Sequence, residues 1–149
     1  MSLLADIASI RPRYEARYRT NIIDRYSEVR GNVGNRPIFS QLWQCYAWAA
    51  VLGFINDRHR PLESPMGDAF PFSTIRDNGP LVHKALVCAA LAKAETDIEV
   101  LRDPREVVRI IEEYANGGFD LISEILEEKG KTHFDGFEKM LFEVMGRGE

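Results

Sequence analysis

Cysteine is scarce: the chain of 149 residues has two, Cys45 and Cys88. Neither stands at Cys-x-x-Cys or staple spacing, which excludes a disulfide framework and a thiolate knuckle. Both lie in apolar, helix-like runs and read as small core residues of a protein kept in a reducing compartment. Histidine is as scarce, and His59, His83 and His133 are too far apart in sequence to form a ligand pair, so no metal site is expected. There is no Gly-x-Gly-x-x-Gly or Gly-x-x-x-x-Gly-Lys run, which removes the usual phosphate cradles of nucleotide-using enzymes. The one Glu-x-Lys match of the nuclease kind, Glu127-Glu128-Lys129, falls at a helix end rather than on the strand that magnesium chemistry needs. No apolar run reaches the ~18 residues of a membrane span, and the first residues lack the pattern of a secretory signal. Internal repeats and low-complexity tracts are absent as well. The expectation is a cytoplasmic protein without catalytic set or cofactor.

What is present is the make-up of one soluble helical domain, with 45% hydrophobic and 28% charged residues. A chain of this length buries about 68–70% of the surface its unfolded form exposes, enough for a core without staples. The formal charge of −4 is unevenly spread: residues 1–36 carry +3, residues 37–94 carry +1 and residues 95–149 carry −8. This divides the single domain 1–149 into a basic helical arm, 1–36, and a helical core, 37–149. Opposite charges at the two ends suit pairing between arm and acidic helices, within one chain or across a homo-oligomer. An acidic protein of pI 5.5 is not built like a dedicated DNA-binding domain, so DNA contact is the weaker alternative.

The periodicity predicts an all-α fold of about five helices, in which two apolar central helices are covered by amphipathic ones. In the arm, Ile7, Ile10, Tyr14, Tyr18, Ile22, Tyr26 and Val29 step by three or four, predicting a helix over 4–30 that Pro12 starts or kinks. The run Gly31 to Pro37 then ends it. Ser40 is a candidate N-cap for a helix from Trp43 to Ile55 that is apolar on nearly every face. Four prolines and two glycines make 61–80 a long loop, with at most a short extended piece at Phe70–Ile75. Asp77-Asn78-Gly79-Pro80 opens a third helix with an apolar face of Leu81, Val82, Ala85, Leu86, Ala89, Ala90 and Ala94. Its alanines suit close packing against the Trp43–Ile55 helix. Asp103-Pro104-x-Glu106 starts a fourth. There Asn116-Gly117-Gly118 should end the helix on local propensity, yet the apolar positions 108, 111, 115, 118, 122 and 125 keep one phase across the glycines. The phase favours one continuous helix to about Lys129, with Gly118 facing inward where another helix crosses it; the alternative is a Schellman-type stop at Asn116 followed by a second helix. A last short helix carries Phe134, Phe137, Met140, Leu141, Phe142 and Val144.

Two surfaces are candidates for binding. Arg11, Arg13, Arg17 and Arg19, interleaved with Tyr14 and Tyr18, are residue types that grip phosphates and stack on bases. A buried tyrosine stripe fringed by solvated arginines explains them as well. Asp57-Arg58-His59-Arg60 is a second cationic cluster, which either completes an anion pocket with Arg76 or caps the preceding helix.

Three stretches together resemble the DNA phosphorothioation-associated protein 4 family of bacteria: Ala49-Ala50-Val51-Leu52-Gly53-Phe54 with Arg58, Arg60 and Pro61; the alanine-rich helix ending in Asp97-x-x-Val100-Leu101; and Glu112-Glu113-Tyr114-Ala115-Asn116-Gly117-Gly118-Phe119-x-x-Ile122. The resemblance covers roughly 40–126 and marks Gly53, Phe54, Tyr114, Asn116, Gly117 and Gly118 as motif residues. The Arg- and Tyr-rich arm before residue 37 departs from the family's pattern. The resemblance implies a setting and not a mechanism, beside systems that replace a DNA backbone oxygen with sulfur or beside linked antiphage restriction systems; with the missing catalytic set and the opposed charges of the two ends, the expectation is a non-enzymatic accessory protein of such an operon. Its partners would be proteins of that operon. The alternative is a DNA-binding module that uses the Arg/Tyr helix.

Overall fold

The computed structural model describes residues 3–18, 22, 41–66, 70–94 and 103–129. The expected loop at 31–37, Ser40, the Asp97-x-x-Val100-Leu101 stretch and the last short helix lie outside the described residues. The described chain is all-α, with helices α1 (Leu3–Ala8), α2 (Ala16–Tyr18), α3 (Leu42–Ile55), α4 (Phe72–Asn78), α5 (Pro80–Ala94) and α6 (Pro104–Lys129). Two residue pairs, Tyr14 with Met66 and Glu15 with Pro65, add a minimal antiparallel ladder of β1 (Tyr14–Glu15) and β2 (Pro65–Met66).

The centre of the molecule is the crossing of α3 and α6. On α3, Cys45, Tyr46, Ala49, Ala50, Leu52 and Gly53 are buried; on α6, Val107, Val108, Ile111, Ala115, Phe119, Leu121 and Ile122 are buried. α6 runs unbroken through Asn116-Gly117-Gly118, as the phase of its apolar stripe requires. The reason is steric. A Cβ at Gly118 would overlap the carbonyl oxygen of Ala49 and lie 2.6 Å from its carbonyl carbon, while one at Gly53 would overlap the Tyr114 carbonyl and lie 2.7 Å from its carbon. The two helices meet backbone to backbone at these positions, so glycine is kept despite costing a helix ~1 kcal/mol relative to alanine. The expected pairing of α3 with α5 is therefore corrected: the small residues of α3 face the glycines of α6, and α5 packs chiefly on α4 and α6.

The arm is not one helix. α1 ends at Ala8 in a turn at Ser9, residues 10–13 are neither helix nor strand, β1 follows, and helix resumes only at Ala16. Pro12 lacks an amide donor, and the residue before it is biased out of the helical region, so proline stops the helix here rather than kinking it. The amides nearby find other partners: Ile10 N–H donates to Ile7 O and Phe72 N–H to Ile10 O, each at 2.9 Å. The apolar positions still point inward, with Ile7, Tyr14, Tyr18 and Ile22 all buried.

The segment 61–80 is not a plain loop, because β2 and the two-turn α4 lie within it, and Phe72 and Ile75 of α4 are fully buried. Pro71 occupies the cap position in extended conformation and Gly79 ends the helix, so the prolines flank α4 instead of preventing it. α5 starts at Pro80 as expected but is rotated from the anticipated face. It buries His83, Leu86, Val87 and Ala90, spaced i, i+3, i+4 and i+7, whereas Leu81 is 80% exposed. A histidine in the inward column, with its ring edge-on to Phe72 at 6.1 Å, is what a count of apolar residues misses. The same rotation places Cys88 outside while Cys45 stays buried, so only one of the two cysteines is a core residue.

Candidate functional site

Beside its apolar stripe, α6 carries a polar column at four-residue spacing: Glu112, Asn116, Asp120 and Glu124. Residues four apart share one helix face, so the column is a continuous seam, and both the arm and the segment after α3 land on it.

The segment after α3 is positioned by the way that helix ends. Asp57 adopts the left-handed conformation, φ 52°, and Arg58 N–H donates to Gly53 O at 2.9 Å while Asp57 N–H donates to Phe54 O at 3.3 Å. This is a Schellman closure with aspartate where glycine is usual. The side chain offsets that conformation: Asp57 Oδ1 accepts from Lys93 Nζ at 2.9 Å and from the Tyr114 hydroxyl at 3.3 Å, and Lys93 holds the carboxyl below its ordinary range. Residues 58–61 then lie flat on α6 as a strap. A Cβ at Gly117 would overlap the Arg58 carbonyl and come within 2.9 Å of His59 N, so this glycine makes room for the strap and not for α3. Arg60 N–H donates to Glu113 O at 3.0 Å.

Asn116 fastens the underside of the strap. Its amide nitrogen donates to Glu15 Oε2 at 2.7 Å and lies 3.2 Å from the carbonyl oxygens of both Arg60 and Pro61. Glu15 and Asn116 are both buried, and Arg17 closes the other side of Glu15 at 2.9 Å. Above them Tyr18 stacks on Phe119, centroids 5.3 Å apart, with Arg17 over its outer face at 4.6 Å. Burial pushes the Tyr18 hydroxyl up to about 12. The Tyr18 hydroxyl and Asn116 Oδ1 are buried without a hydrogen-bond partner among the described residues.

The sequence-predicted residues are now placed. Arg13 grips Glu112: its backbone N–H donates at 2.7 Å, and Nε and one terminal nitrogen donate at 3.1 Å each. That pairing raises the already high pKa of Arg13. Arg58 bridges Asp120 at 2.7 Å and Glu124 at 3.0 Å, and Arg60 reaches the other oxygen of Asp120 at 2.8 Å. His59 stands 3.9 Å from Glu113. Arg76 does not complete a pocket with this cluster; it lies on α4, paired with Asp77 at 2.9 Å. Arg11 is exposed in the segment after α1, and Arg19 lies outside the described residues. Gly53, Gly117 and Gly118 are the contact points of the crossing, and Phe54 stacks on Tyr114 with centroids 4.3 Å apart. Pairing between the basic arm and the acidic third, one of the readings of the charge pattern, is thus realised within the chain at Arg13 and Glu112.

Sequence reasoning missed the carboxylate side of these pairs, Glu15, Asp57, Glu112, Asp120 and Glu124. For Glu112, Asp120 and Glu124 the four-residue spacing of the column was a signal, hidden by the apolar stripe beside it. The motif from Glu112 to Phe119 fits this architecture: Glu112 and Phe119 meet the arm, Tyr114 meets the end of α3, Asn116 meets both arm and strap, and each glycine admits a main chain. Among the described residues no three of His, Cys, Asp and Glu group as a metal ion would need. No helix among them is long and apolar enough to cross a membrane.

No curated protein and no solved structure matches the chain. The sequence does match the family described as DNA sulphur modification system-associated protein 4, over residues 19–145. This match takes in the crossing, the strap and the whole polar column, and it extends back to residue 19. The departure expected before residue 37 is therefore confined to the first 18 residues, which contribute Arg13, Glu15 and Arg17 to the seam. With most of its length inside that match, the protein belongs to the DNA sulphur modification system-associated protein 4 family.

Proposed function

We propose that the protein is a non-enzymatic accessory component of a DNA sulphur modification system, serving phage defence in the cytoplasm through contacts with the system's other proteins. One observation supports this above others. In the stretch Glu112 to Asn116, one of those that carry the family resemblance, Glu112 and Asn116 bind the chain's own arm and strap, and Tyr114 binds Asp57 at the end of α3. A stretch used that way maintains a shape, and a maintained shape serves recognition. Direct DNA binding by a continuous Arg/Tyr helix has less support, since Pro12 divides that segment and Arg13 and Arg17 are paired to carboxylates.

The test is co-expression of the tagged protein with the proteins of the sulphur modification system, followed by affinity purification and light scattering. Stoichiometric co-elution with one of them is expected, as is a mass above that of a monomer for the protein alone. Failure to co-elute with any of them would remove the protein-contact reading. A purified protein that by itself incorporates sulfur into DNA, or removes it, would remove the non-enzymatic one.

A further inference from the structure

A cleft of about 300 Å³ lies between the segment after α1 and the first turns of α6. Ile10, Arg11, Arg13, Arg105, Glu106, Val108, Arg109 and Glu112 line it. Four arginines and two glutamates thus line one opening of a chain whose formal charge is −4. We propose that this cleft is a binding site for a phosphate group.

The two carboxylates in the lining do not oppose that assignment, because each is already engaged. Glu112, buried, is held by Arg13, and Glu106 is held by Arg109 at 2.8 Å. Glu113 reaches the same Arg109 from outside the lining, also at 2.8 Å. Two arginines against three carboxylates leave no surplus positive charge in these pairs, but the pairs hold Arg13 and Arg109 in place. A guanidinium has five N–H donors, and Glu112 takes two of those of Arg13, so donors remain for an incoming oxyanion. Arg105 has no ion pair among the described residues, and it sits in the first turn of a 26-residue helix, where the macrodipole favours negative charge. The helix amides themselves are occupied: Asp103 caps them, with Arg105 N–H donating to its Oδ1 at 3.0 Å and those of Glu106 and Val107 to its carbonyl. Recognition in the cleft is therefore by guanidinium forks, which match the oxygens of a phosphate.

Size and lining narrow the ligand. The cleft is at the small end of ligand sites, enough for a phosphate group with little attached. Its apolar residues are Ile10 and Val108, with no aromatic ring on which a base would stack. Whether the group is a free small phosphate or one unit of a nucleic-acid backbone, it is held by its oxygens and without base readout.

The experiment is a titration of the ¹⁵N-labelled protein at constant ionic strength, with inorganic phosphate in one arm and a short duplex DNA in the other, followed by amide shifts. Saturable shifts confined to residues 10–13 and 105–109 are expected. Arg105→Ala should weaken binding at least about tenfold, while Arg76→Ala, outside the cleft, should leave it unchanged. Arg11→Ala provides an independent second variant. Tighter binding of the duplex than of phosphate would assign the site to a nucleic-acid backbone; the reverse order would assign it to a free phosphate. The proposal is overturned by the absence of saturable shifts with both probes, by shifts that map elsewhere, or by equal affinity in the Arg105→Ala, Arg11→Ala and Arg76→Ala proteins. Since the probes are added to the pure protein, its failure would leave the co-elution result untouched.

Discussion

Replacing Gly118 by alanine separates two accounts of the crossing. A glycine in mid-helix that merely lacks a side chain gains ~1 kcal/mol on becoming alanine. Here the added methyl would overlap the Ala49 carbonyl oxygen and lie 2.6 Å from its carbon and 3.1 Å from its Cα. All three are main-chain atoms of α3, so no rotamer change relieves the overlap, and the two helices must part along their length. Overpacking of cores costs typically ~1–3 kcal/mol, with larger values when backbone has to move. After the propensity gain is subtracted, we expect a net loss of ~3 kcal/mol or more, against a total stability of ~5–15 kcal/mol for an ordinary domain. Urea denaturation followed by circular dichroism measures it. Gly79→Ala is the internal comparison: its methyl would meet the Trp43 ring at 2.9 Å, a side chain with freedom to yield, so its loss should be smaller. A Gly118→Ala protein as stable as the parent, or more so, would refute the close-approach argument.

Other perturbations probe the seam and the remaining core. Asn116→Asp sets a second carboxylate against buried Glu15 and removes the donors that hold the strap, so we expect a loss beyond ~3 kcal/mol, partly recovered at acid pH, in the same denaturation assay. Arg13→Ala strands the buried Glu112 carboxylate, but the guanidinium is 51% exposed and solvent replaces part of what it gives. A loss of ~1–3 kcal/mol is expected there, below that of a fully buried pair, and thermal unfolding will show whether it exceeds that of Arg76→Ala. Burial, followed by the nearby Arg76, holds the His83 imidazole below its ordinary 6.5, with Asp77 acting the other way. The unfolded chain therefore takes up this proton at higher pH than the folded one, so the stability that the neutral ring contributes is complete above ~6.5 and is lost as pH falls below it. Urea midpoints at about pH 7.5 and about pH 5.5 should draw apart in the parent and converge in His83→Gln. A thiol reagent should label Cys88 at once and Cys45 only on unfolding.

Much of this fold was legible because helical phase is a local property. The stripe through Val108, Ile111, Ala115 and Gly118 kept its register, and a broken helix has no cause to do so, hence continuous α6 against the evidence of its glycines. The starts at Pro80 and Pro104 were legible for the same reason, since a proline in the first turn is a local signal. Pro12 is the counter-case. The apolar positions around it repeat every three or four residues and do point inward, but a non-helical segment that follows the surface of α6 can bury the same residues. Periodicity predicted the burial and not the backbone. The partner of α3 was misassigned because alanine-rich faces on α3 and α5 are equally suited to close packing, and no local pattern says that Gly53 of α3 and Gly118 of α6 admit each other's helix main chain. The arginines of the candidate site were found by type, whereas the carboxylate partners of Arg13, Arg58 and Arg60 lie some 60 to 100 residues away, a distance that no local pattern spans.

That separation also bears on how the chain folds. Arg13 meets Glu112 across 99 residues and Glu15 meets Asn116 across 101, so the arm is not fastened on this side until α6 exists. Contacts this distant in sequence are paid for in loop-closure entropy before they stabilise anything, which slows folding. During synthesis the consequence is sharper. α3, the helix with apolar residues on nearly every face, is made before α6, the helix that covers it, and it waits uncovered for as long as the intervening residues take to be translated. The nascent chain thus passes through a stage at which its most aggregation-prone surface is complete and the helix that shields it is not.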